Sequence, residues 1–144
     1  MRPLLLTQVA TTLGMVAVIW FVQLVHYPLF AQVGEAGFPR YEALHTQRIS
    51  LIVIPLMVAE AATAGWLLFI GAPWASRTEL AIGAGLVLLV WAVTFFFSVP
   101  CHGRLAQGFD AATHARLVAT NWLRTAGWSA RGGLVLLWLW RAVG

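Results

Sequence analysis

Four histidines, nine arginines and a single cysteine are the side chains of this sequence best suited to chemistry. Their positions are not even. His26, His45, His102 and His114 each sit at an edge of a long apolar segment. If the chain reverses direction between successive segments, the end of the first, the start of the second, the end of the third and the start of the fourth meet on one side. All four histidines fall on that side, together with Arg48 and Cys101, and with Arg104 adjacent. Imidazoles gathered from several helices can ligate a metal, supply the axial positions of a haem, or move protons and hydrogen-bond a substrate. The blander alternative is interfacial histidines that bond loops and lipid headgroups. No clustered carboxylate accompanies them, and neither His-x-x-Glu-His nor Cys-x-x-Cys-His occurs, so a di-iron bundle is not indicated. The cofactor therefore stays open between none and a haem or metal, with His26, His45, His102 and His114 as ligand candidates. His114 is expected in an exposed first turn, which leaves His26, His45 and His102 as the stronger candidates for proton transfer.

The arginines sharpen the picture. His114, Leu117, Asn121, Arg124, Trp128 and Arg131 recur at spacings of three and four, so they share one helix face. Gln8, Thr12, Met15, Ile19, Gln23 and His26 do the same in the first segment, and His45, Arg48, Ile52, Leu56 and Glu60 in the second. An arginine near the middle of a bilayer costs at least about 2.5 kcal/mol and must face inward toward a partner. Glu60 is the one acidic residue read as deep in a helix, and Arg131 is its expected partner in a structural ion pair. Arg124 is left without a carboxylate. Beside Asn121 it is a suitable anchor for an anionic or carbonyl-bearing ligand. Trp122 and Trp128 are read as packing residues, and Cys101 as an inert thiol.

The elements that must hold these groups are four helices, expected over residues 4–30, 41–70, 78–99 and 112–140. Each contains the run of about 20 mostly apolar residues that spans a bilayer. Gly34, Gly37 and Pro39 break the chain before the second helix, and Gly71, Pro73 and Ser76 before the third. Pro100, Gly103 and Gly108 separate the third from the fourth, where Asp110 is a plausible N-cap. Ser76 and Glu79 have capping-box spacing. Pro55 lies inside the second helix and is expected to kink it. The fold class is therefore all-α, a four-transmembrane-helix bundle forming one domain over residues 1–144.

Composition agrees. The chain has 144 residues, 60% of them apolar and only 10% charged, against about 25% charged in soluble domains. So small a core could not hide that much apolar surface from water. The net charge of +4 comes from arginines placed singly among apolar segments, with no basic run, so nucleic-acid binding is excluded as a reading. The expected partners are the lipid bilayer and a lipophilic small molecule, and the expected location is an integral, multi-pass protein of a bacterial inner membrane. Orientation is undecided: Arg2, Arg77 and Arg141 balance Arg40, Arg104 and Arg116. Ala81, Gly83 and Gly85 offer a small-residue surface for packing against another chain, so a homo-oligomer stays open.

The run Val99-Pro-Cys-His-Gly-Arg-Leu105, followed by His114 and then Asn121-Trp-Leu-Arg-Thr125, resembles the small four-helix membrane proteins related to fungal anthrone oxygenases. The likeness covers the third and fourth segments. His26-Tyr-Pro and His45-Thr-Gln-Arg48 lie outside it. It implies oxidation of a lipophilic aromatic compound, with Asn121, Arg124 and His102 at the substrate. The leading expectation is an oxidoreductase acting on a lipophilic substrate, with catalytic candidates His26, His45, His102, Arg48, Asn121 and Arg124. A haem- or metal-binding electron-transfer protein and a non-enzymatic subunit or small transporter are the alternatives.

Overall fold

The computed structural model describes all 144 residues and contains no strand, only helices. Four helical rods follow one another: α1 Arg2–Gln32, α2 Phe38–Ile70, α3 Arg77–Leu105 and α4 Ala111–Val143. Each packs on its neighbours in sequence, and α4 closes the ring against α1. The first three are long and apolar enough to cross a membrane. The fourth is as long as α2, but Asn121, Arg124 and Arg131 dilute its apolar character. Those three side chains are buried, while Trp122, Leu123, Leu136 and Trp140 stand on its outer face.

Local chemistry explains the ends. Pro39 falls in the first turn of α2, where its missing N–H is no loss, so the helix starts at Phe38 rather than near residue 41. Gly71 ends α2 at a φ of 81°, a left-handed conformation that a side chain would resist. Ser76 and Glu79 form the complete capping box at the start of α3. Asp110 caps α4 by accepting from the Thr113 amide at 2.7 Å.

Pro100 does not end the third helix at Val99. The helix continues to Leu105 because a π-helical stretch, Thr94–Ser98, precedes the proline. A widened turn gives the proline ring room and absorbs the missing donor. The same device recurs in α1, where the π-helical stretch Val22–His26 precedes Pro28. A π turn carries one extra residue, which rotates everything after it by about 100°. Tyr27 consequently turns into the bundle, 3% exposed, while His26 is only half-buried.

Apolar layers alternate with polar ones along the axis. Phe30, Phe38, Cys101, Leu105 and Leu117 close the histidine end. Met15, Ile19, Met57, Val90 and Trp128 fill the middle, and Leu5, Leu67, Leu80, Val135 and Trp138 fill the far end. Trp74 and Trp138 are buried in that last layer with ring centroids 5.5 Å apart, so of the four tryptophans at that end only Trp66 and Trp140 are exposed. The small-residue surface on α3 is divided. Gly83 faces α4, where an added Cβ would lie 2.9 Å from Arg131, whereas Gly85 faces open space. Gly83 is thus an internal contact and not part of an outward stripe.

Candidate functional site

The lower of the two polar layers is an internally satisfied knot. Arg131 on α4 donates from Nε to Glu60 Oε1 on α2 at 2.8 Å, and both side chains are buried. The same carboxylate accepts from Thr12 Oγ1 at 2.6 Å and from Trp128 Nε1 at 3.0 Å. The remaining guanidinium nitrogens reach the Gly83 carbonyl on α3 at 2.5 Å and the side-chain oxygen of Gln8 on α1. Gln8 also donates to the Glu60 carbonyl at 2.9 Å and to Thr63. Every helix contributes, and both charges are surrounded by partners. This is the arrangement that makes an ion pair tolerable in an apolar interior.

The upper layer differs. Its centre is Phe30, fully buried, with ring centroids 5.1 Å from His26, 5.3 Å from His45, 6.4 Å from His102 and 6.1 Å from His114. The Phe30 ring packs against all four imidazoles, while His26 and His45 adjoin with centroids 4.3 Å apart and His45 and His102 with centroids 5.5 Å apart. No set of three or more His, Cys, Asp or Glu side chains is arranged to hold a metal ion. Each histidine is engaged elsewhere. His114 Nε2 bonds the Tyr27 carbonyl at 2.7 Å, tying the end of α1 to α4 rather than standing exposed. His26 Nε2 and His45 Nδ1 are 2.8 Å apart.

His102 has the most consequential partners. Its Nδ1 bonds Glu42 Oε1, and its Nε2 lies 3.0 Å from the Tyr27 hydroxyl. Glu42 is fully buried, so the histidine cluster does contain a carboxylate, contrary to the reading from spacing. With Glu42 ionised, Nδ1 must carry a proton and donate it. The neutral ring then presents Nε2 as an acceptor to the phenol. Carboxylate, imidazole and hydroxyl are in the order that lets a hydroxyl give up or regain a proton.

Arg124 stands beside this relay. It is 6% exposed, and its NH1 donates to Asn121 Oδ1 at 3.1 Å and to Ser98 Oγ at 3.3 Å. Asn121 in turn donates to Gln23 Oε1 at 2.8 Å, so the π-helical stretches of α1 and α3 both help to hold the arginine. The cation lies 5.3 Å from the Trp128 ring centroid. No carboxylate lies within salt-bridge reach, and Nε has no hydrogen-bond partner.

Tyr27, His45, Ser98, His102 and Arg124 all line one cavity of about 570 Å³ between α1, α2 and α3. The rest of the wall is mostly apolar. Arg48 lies outside it: the side chain is exposed and borders a shallow groove with Phe21, His26, Tyr41 and His45. Of the sequence candidates, His45, His102 and Arg124 share the cavity. Asn121 supports it from behind, and His26 reaches it only through His45.

Scans of the chain against protein-family models, curated proteins and solved structures each found no match. Fold and site alone therefore define the class: an all-α four-helix bundle enclosing an acid–imidazole–phenol relay beside an arginine with no carboxylate partner.

Proposed function

We propose that this chain is a multi-pass integral membrane protein, of a bacterial inner membrane, and an enzyme that transfers a proton at the oxygen of a lipophilic substrate. The outer surface supports the first part. Leu51 and Phe69 on α2, Leu88 and Phe96 on α3 and Trp140 on α4 are each at least 70% exposed, which a water-soluble protein would not tolerate. At 1.5 Å per residue α4 is about 50 Å long, enough to cross the hydrocarbon with its inward arginines covered by the other helices.

The single observation that carries the enzymatic reading is the chain Glu42–His102–Tyr27 opening on an apolar cavity beside Arg124. Arg124 and Ser98 would orient a carbonyl, phenolate or similar oxygen and stabilise negative charge as it develops there. Tyr27 would donate or accept the proton, with His102 as its exchange partner and Glu42 holding the imidazole in the required tautomer. Tautomerisation between a carbonyl and its enol or phenol form uses such a proton transfer. Oxidation of a lipophilic aromatic compound by dioxygen, which the resemblance to anthrone-oxygenase-like proteins in α3 and α4 implies, would begin with the same deprotonation. As placed, these residues do not form a metal centre: His26 bonds His45, His102 bonds Glu42 and Tyr27, and His114 bonds a carbonyl, so no three donors converge.

The test is to reconstitute the protein in lipid nanodiscs with the lipophilic extract of the cells that make it, in air, and to follow individual masses. Conversion of one oxygen-bearing component by the wild type, absent with Tyr27→Phe, is expected. Conversion that persists undiminished in Tyr27→Phe and in His102→Ala would sink the assignment.

A further inference from the structure

Resting on the reading above, we infer that the molecule taken up is a single-chain amphiphile whose head is one anionic oxygen group, and that it enters sideways from the bilayer between α2 and α3.

The head follows from an inventory of buried charge. Arg131 is paired with Glu60, and Glu42 is held by a hydrogen bond from the His102 ring. Arg124 has no carboxylate within salt-bridge reach, although it is more than nine-tenths buried and lines the cavity. Its hydrogen bonds go to neutral groups, Ser98 and Asn121, and its Nε has none. Burying an unpaired cation is costly, and a resident anion would supply both the missing charge and the missing acceptor. A head bearing two charges would find no second unpaired cation.

The tail follows from the wall. Val18, Ile49, Val53, Met57 and Trp91 leave a cavity within the size range of small-molecule sites, about 300–1,000 Å³. One chain fits this lining, and a polar body does not.

The route follows from what is closed. Buried Phe30, Phe38, Leu105 and Leu117 seal the histidine end, and Met15, Ile19 and Trp128 close the bundle below. The cavity wall also includes Ile54, Phe95 and Val99, which are 57%, 56% and 53% exposed on the outer apolar surface. The mouth therefore faces lipid. Its rim runs up to Gly103 and Ala106, one turn or less from the helix end, where the headgroup of a leaflet amphiphile would lie.

The experiment uses nanodiscs of zwitterionic phosphatidylcholine at mildly alkaline pH and three bromine-labelled probes: dibrominated stearate, the corresponding alcohol and the trimethylammonium analogue. Bromine quenches nearby tryptophan, and Trp91→Phe identifies the part of the signal that arises in the cavity. Stearate is expected to quench saturably and roughly tenfold more tightly than the alcohol, as one charge-assisted contact implies, with the cation excluded. Arg124→Gln should abolish the preference for the carboxylate. Gly103→Leu should weaken quenching by every probe, since a Cβ there meets nothing within 4 Å and the longer side chain would fill the mouth without disturbing the fold. Equal binding of stearate and alcohol by the wild type would overturn the anionic head but leave the proposed site standing. Undiminished access in Gly103→Leu would overturn the lateral route. Failure of all three probes to reach Trp91 would remove both this inference and the lipophilic site beneath it. Should Arg124→Gln not accumulate, the order of the three probes on the wild type decides the head by itself.

Discussion

The Tyr27 hydroxyl lies 3.0 Å from Nε2 of His102, and the opposite nitrogen of that ring is held by Glu42. Three helices supply the three groups, so the alignment is a property of the bundle and not of any one segment. Tyr27→Phe keeps the ring that packs 5.4 Å from Phe30 and removes only the hydroxyl. Turnover should fall by roughly 10²–10⁴, the usual contribution of a positioned acid or base. Thermal stability should change by about 1 kcal/mol or less, as for one hydrogen bond. Glu42→Gln should likewise lower turnover while leaving ligand affinity nearly unchanged, measured by steady-state kinetics beside equilibrium binding.

The two buried arginines should respond in opposite ways. Arg131→Leu leaves Glu60 as an uncompensated buried charge, a change that costs about 3–5 kcal/mol. This variant should fail to accumulate in membranes or should aggregate at much lower temperature. Arg124→Leu removes a cation that has no carboxylate partner, so the protein should accumulate normally and lose ligand binding and turnover. Loss of accumulation in Arg124→Leu would make that residue a packing element and would count against the site.

Two glycines two residues apart on α3, and so on opposite faces of the helix, give a packing test. An alanine at Gly83 would place Cβ 2.9 Å from Arg131 NH1 and 3.0 Å from the Trp138 ring, in the middle of the polar knot. Gly83→Ala should lower the melting temperature. At Gly85 nothing lies within 4 Å, and alanine is favoured over glycine in a helix by about 1 kcal/mol. Gly85→Ala should leave the melting temperature unchanged or raise it, and the pair can be compared by thermal scans in the same detergent.

The cap of α4 should be acid-sensitive. Hydrogen bonds from Thr113, side chain first and then backbone, hold the Asp110 carboxyl below its ordinary value. A group whose folded pKa is depressed stabilises above its unfolded pKa and loses that contribution as the pH falls through the folded value. The first turn of α4 should therefore fray only below the usual carboxylate range, seen as a shift of the Thr113 amide resonance. Asp110→Asn should flatten that titration.

Much of the architecture was legible in the sequence because it depends on composition and on short-range rules. Apolar runs, glycine and proline breaks, the capping box at Ser76 and the N-cap at Asp110 define four helices. The three-and-four spacing of Asn121, Arg124, Trp128 and Arg131 places them on the face that is buried. The chain reversals bring the histidines to one end. Arg131 meets Glu60 because both face inward at the same depth.

What could not be read from spacing lies just after the two π turns and across the helix interfaces. Each π turn adds one residue and shifts the register, so His26 leaves the stripe that Gln8 to Gln23 define and Tyr27 takes its place. Sequence periodicity has no mark for that insertion apart from the proline that follows it. Glu42 lies near the start of α2, where a carboxylate ordinarily faces water. Only the approach of α3 buries it against His102. The same side-by-side packing puts Phe30 among the four imidazoles and leaves Arg48 outside. The amino-acid sequence by itself thus determined the helices, their inward faces and the polar end, because each depends on hydrophobicity and on contacts within a few residues. Tertiary structure alone decided which polar groups touch, because those contacts depend on the rotation and depth of each helix against its neighbours.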